Sequence, residues 1–137
     1  MISASIKWTG KRQYIGVGEK SGHSVVMDSP KGKGDDTGLR ATELFLLGVA
    51  GCTAVDVVDI LEKMKVALDR CEIKIEGEQQ DDYPKYFHTI RLKYILSGRD
   101  LDLKKAEKAV SLSMDKYCGI SQTLKGRANF ETEIEIV

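Results

Sequence analysis

Seven consecutive residues, Leu44-Phe45-Leu46-Leu47-Gly48-Val49-Ala50, offer no polar side chain to any side of the element they form. They lead into Val55, Val58, Leu61 and Met64, whose three-residue spacing gathers them on one helical face. A helix over 42–65, buried all round at its start, satisfies both stretches and must lie at the centre of whatever the chain builds. A sheet laid against one side of such a helix leaves another side bare. The sequence therefore predicts an obligate homodimer in which a second copy covers that side, with an interface above about 2,000 Å². The uninterrupted apolar run stays below the roughly 18 residues that a membrane span needs. The opening MISASIKWTG also lacks the charged start, apolar stretch and cleavage site of a secretory signal. The expectation is a cytoplasmic protein with no membrane partner.

Around the helix the pattern is β. Residues 2–28 alternate apolar and polar in three short runs, broken by the turn-like Thr9-Gly10-Lys11, and read as three antiparallel strands. Between 28 and 38 stand Pro30, Gly32, Gly34 and Gly38 among Lys and Asp, with almost nothing to bury, which predicts a mobile loop. Cys71 opens a strand over 72–76, and after a polar loop near 80–84 a longer strand over 86–96 completes a hairpin. Asp100 or Asp102 caps a second helix whose Ala106, Ala109, Val110, Ser113 and Tyr117 share a face, ending near Cys118-Gly119. Phe130, Ile134 and Ile136 alternate with Glu131, Glu133 and Glu135 in a closing strand. The order is βββ-α-ββ-α-β, an α+β arrangement of two central helices against antiparallel sheet. At 137 residues it is expected to form a single domain, 1–137. Lys plus Arg and Asp plus Glu each total 21, so no net field draws nucleic acid.

Chemistry has few candidates. His23 and His88 lie in strands without the neighbours of a metal site, so neither a metal nor an organic cofactor is expected. Three cysteines cannot all pair within one chain, and free thiols are the expectation in a reducing compartment. Cys71 carries no motif and reads as structural. Cys52 follows Gly48 and Gly51 in the most apolar part of the helix. Each of those glycines costs about 1 kcal/mol relative to Ala, which implies a need for close packing or access. Asp56, one turn on, shares its face and would raise the thiol pKa unless a cation offsets it. Cys118 falls at the end of the second helix, where the helix dipole opposes a thiolate and Lys116 favours one. Pattern alone leaves two readings of this pair, buried structural cysteines or working thiols.

The stretch from Leu44 to Cys52, its continuation Thr53-Ala54-Val55-Asp56-Val57-Val58, and Lys116-Tyr117-Cys118 sixty-six residues beyond the first thiol resemble the OsmC and organic hydroperoxide resistance family. The order of elements is similar to that family's fold over nearly the whole chain, and the Cys-x-x-x-Asp version is similar to its YhfA-like branch. The resemblance implies a thiol-dependent peroxidase. Cys52 would attack the terminal oxygen of an organic hydroperoxide and become a sulfenic acid, Cys118 would resolve it as a disulfide, and a dithiol such as a lipoyl group would reduce that. An apolar pocket walled by Phe45 and Val49 would favour bulky hydroperoxides. The resemblance also implies intertwined subunits with active sites at the shared boundary. There an N-terminal arginine, held by a glutamate ten residues before the cysteine, activates the thiolate. That position is Thr42 here, so Glu43, one place later, and Arg12 are the matching candidates, with Arg40 as another arginine. The shifted glutamate motivates an alternative, a non-catalytic protein on the same fold that binds a small hydrophobic ligand or senses redox state.

Overall fold

Alternation at the N-terminus gives three strands, β1 (Ala4–Gly10), β2 (Gln13–Gly18) and β3 (Ser24–Met27), paired antiparallel in the order β1-β2-β3. Gly10 at φ 122° and Lys11 at φ 49° make the first turn, the former in a region that only glycine adopts freely. The computed structural model describes all residues, 1–137, and divides into two compact units, Met1–Phe45 and Leu46–Val137.

The glycine-rich loop after β3 is tied down rather than free. Asp28 is only 6% exposed, and its carboxylate accepts hydrogen bonds from the Ser29 amide at 2.7 Å, the Thr37 amide at 3.1 Å and the Thr37 hydroxyl. The chain on either side is stitched by Asp28 N–H to the Leu39 carbonyl and Leu39 N–H to the Val26 carbonyl, both at 3.0 Å. One buried acceptor orders a segment that has little apolar area to bury.

Helix α1 (Ala41–Lys63) starts in the first unit and continues through the second. At its start the Glu43 carboxylate reaches back to accept the Arg40 amide hydrogen at 2.9 Å, one half of a capping box. Lys65, at φ 62°, turns the chain out of the helix. Val49, Ala50, Thr53, Val57 and Leu61 form the buried face. The opposite face, Leu47, Gly48, Gly51 and Val55, is exposed, Leu47 by 51% and Val55 by 62%. Within one chain the helix start is thus not enclosed all round as its composition predicts. α1 is long and apolar enough to cross a membrane by length and composition, more so than its uninterrupted apolar run indicates. Its buried face forms the core of the second unit.

That core is completed by β4 (Ala67–Gln79) and β5 (Phe87–Arg99), paired antiparallel, and β6 (Asn129–Ile136), which runs parallel to β5. β5 is the central strand. Its Ile90, Leu92, Tyr94 and Leu96, at the two-residue period of one sheet face, pack with Val49, Val57 and Leu61 of α1 and with Ala106, Ala109 and Val110. Polar partners bind the same strands laterally, as where Arg91 bridges Glu78 at 2.9 Å and Glu131 at 2.7 Å. The parallel pairing of β6 departs from the expected antiparallel sheet, and its reason is topological: parallel neighbours need a crossover, which the helices between β5 and β6 supply.

The expected second helix is three pieces. α2 (Leu103–Leu112) begins at Asp102, whose carboxylate accepts the Lys105 amide hydrogen at 2.7 Å. A π-helical turn, Ser113–Tyr117, follows and closes with the Cys118 amide donating to the Ser113 carbonyl at 2.7 Å. Cys118 then caps α3 (Gly119–Leu124). The wider turn advances the phase by one residue, so Tyr117, expected on the buried face, is 53% exposed. The helical run thus ends at Cys118-Gly119 as expected, and Gly119 at once begins the next one.

Candidate active site

α1 presents Cys52 and Asp56 on one side, a turn apart, next to the buried Thr53 and Val57. The π turn and the start of α3 bring Cys118 to the same place. The two Sγ atoms and a carboxylate oxygen of Asp56 all lie within 4.8 Å of one another. All three cysteines are free thiols; Cys118 is fully buried and Cys52 partly open.

Cys118 ends the helix as expected but also heads the next one. It closes the π turn and caps the start of α3, where its Sγ accepts the Ser121 amide hydrogen at 3.4 Å. Cys52 takes a hydrogen bond from the Ile120 amide, which favours its thiolate, but burial pushes the Cys52 thiol up more strongly, and Cys118 and Asp56 push in the same direction. Within this chain Cys52 is held protonated.

Behind Asp56 runs a buried relay of hydroxyls. Ser113 Oγ donates to Asp56 Oδ2 at 2.9 Å, Thr53 Oγ1 lies 2.7 Å from Ser113 Oγ, and Tyr94 OH lies 2.9 Å from Thr53 Oγ1. Each hydroxyl has one hydrogen. Because Ser113 gives its hydrogen to the carboxylate, Thr53 donates to Ser113 and Tyr94 to Thr53. Burial pushes the Tyr94 phenol up to about 12, which keeps it a donor. Sequence reasoning placed Ser113 on the buried face of its helix without a partner. The available signal was that a hydroxyl on an apolar face must be satisfied by something.

Beside Asp56 opens a cleft of about 250 Å³, lined by Asp56, Asp59, Ile60, Lys63, Leu112 and Tyr117. Of the residues expected to wall an apolar pocket, Val49 is fully buried in the core and Phe45 is 38% exposed. Gly51 faces open space, for a Cβ there would meet nothing within 4 Å, and one at Gly48 would just touch Ile120 at 4.0 Å. Packing within the chain therefore explains neither glycine.

The charged candidates lie in the first unit. Arg12, at the β1–β2 turn, is exposed and donates to the Lys11 carbonyl at 3.1 Å. No ion pair joins it to Glu43. Glu43 instead accompanies Arg40, whose Nε lies 3.9 Å away and whose other nitrogen contacts Asp36 at 2.7 Å. Cys71 is half-buried in β4 opposite Leu96, its thiol pushed up by burial. His23 is exposed, and His88 Nδ1 meets the Thr89 hydroxyl at 2.9 Å, an ordinary strand contact.

Two thiols from distant parts of the chain, converging on the carboxylate of a central helix in an α+β fold of this order, define a small dithiol protein. The chain belongs to the OsmC-like protein family, whose model matches residues 33–133. It is 34% identical over 136 residues to Protein YhfA of Escherichia coli (strain K12), covering 99% of this chain and 98% of that one. Among solved structures it resembles a hypothetical protein from Aquifex aeolicus VF5, with TM-score 0.88 and 23% identity over 100% of this chain and 96% of that one. It also resembles the organic hydroperoxide resistance protein OhrB of Bacillus subtilis, with TM-score 0.68 and 18% identity over 98% of each chain. With these two it shares the fold.

Proposed function

We propose that the chain is a two-cysteine organic hydroperoxide reductase. The observation that carries this reading is the approach of the Cys52 and Cys118 sulfurs to within 4.8 Å. Membership of the OsmC-like family supports a redox role connected with peroxide resistance. The Cys52 thiolate attacks the terminal oxygen of the hydroperoxide, the O–O bond breaks, and the alcohol leaves with a proton while Cys52 becomes a sulfenic acid. The Cys118 sulfur then displaces water from that sulfenic acid, forming the disulfide, and an external dithiol such as a lipoyl group returns both thiols by exchange. The arginine that such a mechanism calls for is read as Arg12 or Arg40, with Glu43 orienting it; Glu43 already braces Arg40.

The working form is read as a cytoplasmic homodimer of single-domain chains. The bare Leu47, Gly48, Gly51 and Val55 side of α1 supports the dimer, because glycines that nothing in their own chain crowds suit the close approach of a second helix. Thiol titration before and after one equivalent of cumene hydroperoxide tests the reaction. Two thiols must disappear together, leaving Cys71. One observation favours the non-catalytic alternative, a redox sensor or carrier of a small hydrophobic ligand: burial and Asp56 hold Cys52 protonated. A carrier of a hydrophobic ligand keeps all three thiols in that titration, and a redox sensor loses the pair without catalytic turnover of further hydroperoxide.

A further inference from the structure

We propose that Cys52, Asp56 and Cys118 form a binding site for one soft divalent cation of the zinc and cadmium class, with a fourth coordination position left open. This site uses the two thiols of the proposed reaction but is argued from the geometry of its three ligands and tested without hydroperoxide, and it amends the expectation, drawn from the histidines, of a protein without metal.

The geometry is near what such an ion requires. Metal–sulfur distances of about 2.3 Å and metal–oxygen distances of about 2.0–2.2 Å put tetrahedral ligands roughly 3.5 Å apart. The three donor atoms lie within 4.8 Å of one another, and drawing them onto one ion calls for an adjustment of about 1 Å. Two ligands sit on one rigid helix, a turn apart, and the third is fixed by the backbone of the π turn.

Each ligand also has its outer support. The Ile120 amide backs Cys52, the Ser121 amide backs Cys118 Sγ at 3.4 Å, and the Ser113 hydroxyl holds Asp56 Oδ2 at 2.9 Å. Hydrogen bonds of this kind orient metal ligands without competing for the metal. The relay through Thr53 to Tyr94 extends that support into the core.

The electrostatics select a cation. Two thiols and a carboxylate at one point make a poor home for an isolated thiolate, because each negative charge opposes the next. A dication reverses that logic, since every charge then favours it. Binding releases two thiol protons to solvent and leaves all oxidation states unchanged. Two thiolates choose a soft or borderline ion over magnesium or calcium. Bound thiolates are withheld from hydroperoxide, so the ion protects the pair in a reduced state.

The test is titration of the fully reduced protein with Cd²⁺ alone, followed by thiolate-to-cadmium charge-transfer absorbance and by competition with Zn²⁺. Saturation at one ion per chain is expected. Cys71→Ser should leave the affinity unchanged, Cys118→Ser should abolish saturable binding, and Asp56→Asn should weaken it by at least about tenfold. If either variant at the site fails to fold, ¹¹³Cd resonance on the wild-type protein reads the donor set directly, and a two-sulfur signature is expected. Absence of saturable binding, equal affinity in Asp56→Asn, dependence on Cys71, or a signature without two sulfurs would each overturn the assignment.

Discussion

Ser113 holds both sides of the thiol cluster: its hydroxyl donates to Asp56 Oδ2 at 2.9 Å, and its carbonyl accepts the Cys118 amide hydrogen at 2.7 Å. A single buried residue at the start of the π turn thus sets the carboxylate on α1 and the thiol before α3 relative to each other. The turn itself is the device, since a regular helix would have carried residue 118 onward and pointed it elsewhere.

Ser113→Ala removes the donor to Asp56 and the acceptor for Thr53 at a fully buried position. We expect a loss of about 1–3 kcal/mol of stability. Tyr94→Phe takes only the end of the relay and should cost less, about 0.5–1.5 kcal/mol. Urea unfolding of both variants decides this, and equal, negligible effects would show that the relay carries no stability.

For the cysteines, the proposed reaction predicts a division of labour. Cys52→Ser should abolish hydroperoxide consumption. Cys118→Ser should allow one turnover and accumulate sulfenic or sulfinic acid on Cys52, visible by mass spectrometry. Catalytic efficiency should be greater with cumene hydroperoxide than with hydrogen peroxide. Wild-type activity in Cys52→Ser would rule out the assignment.

The pH dependence follows from the neighbours of Cys52. Burial favours the neutral thiol, and Cys118 and Asp56 add to this, so the thiol is pushed up. The thiolate is the reactive form, so alkylation of Cys52 in the isolated chain should rise with pH with a midpoint above that of an ordinary thiol. Asp56→Asn removes one of the opposing charges. Its midpoint should fall and its rate at neutral pH increase; an upward movement would mean that Asp56 acts on the thiol other than by charge.

Gly51 separates a lone chain from a dimer. In a lone chain Gly51→Leu meets no neighbour and should stabilise α1 by roughly 1 kcal/mol, the usual gain over glycine in a helix. Across a close helix–helix contact the same change should block association. We expect sedimentation equilibrium to give a dimer for the wild type and a weakened one for Gly51→Leu, with unfolding of the wild type dependent on concentration. A wild-type monomer at micromolar concentration would remove the dimer from the reading.

Much of the fold was legible because it rests on short-range periodicity. The apolar run from Leu44, the alternation in β1 to β3 and the Asp102 cap each declare themselves within a few residues, whereas β4 runs Ala67–Gln79, well beyond the expected 72–76, and holds Cys71 inside it. Hydrogen bonding that depends on a buried acceptor was less legible. The loop after β3 looks free in sequence because what orders it is one aspartate, Asp28, and its partners lie up to nine residues away.

The sequence by itself determined the order of elements, the central place of α1 and the pairing of Cys52 with Asp56, since residues four apart on a helix share a face whatever surrounds them. Tertiary structure alone decided that β6 runs parallel to β5, that Cys118 heads a further helix as well as closing one, and that Ser113, Thr53 and Tyr94 form a relay behind the carboxylate. These depend on where a crossover returns to the sheet and on one extra residue in a helical turn. Neither leaves a local pattern, because the energies that choose them belong to contacts between residues 40 to 60 positions apart.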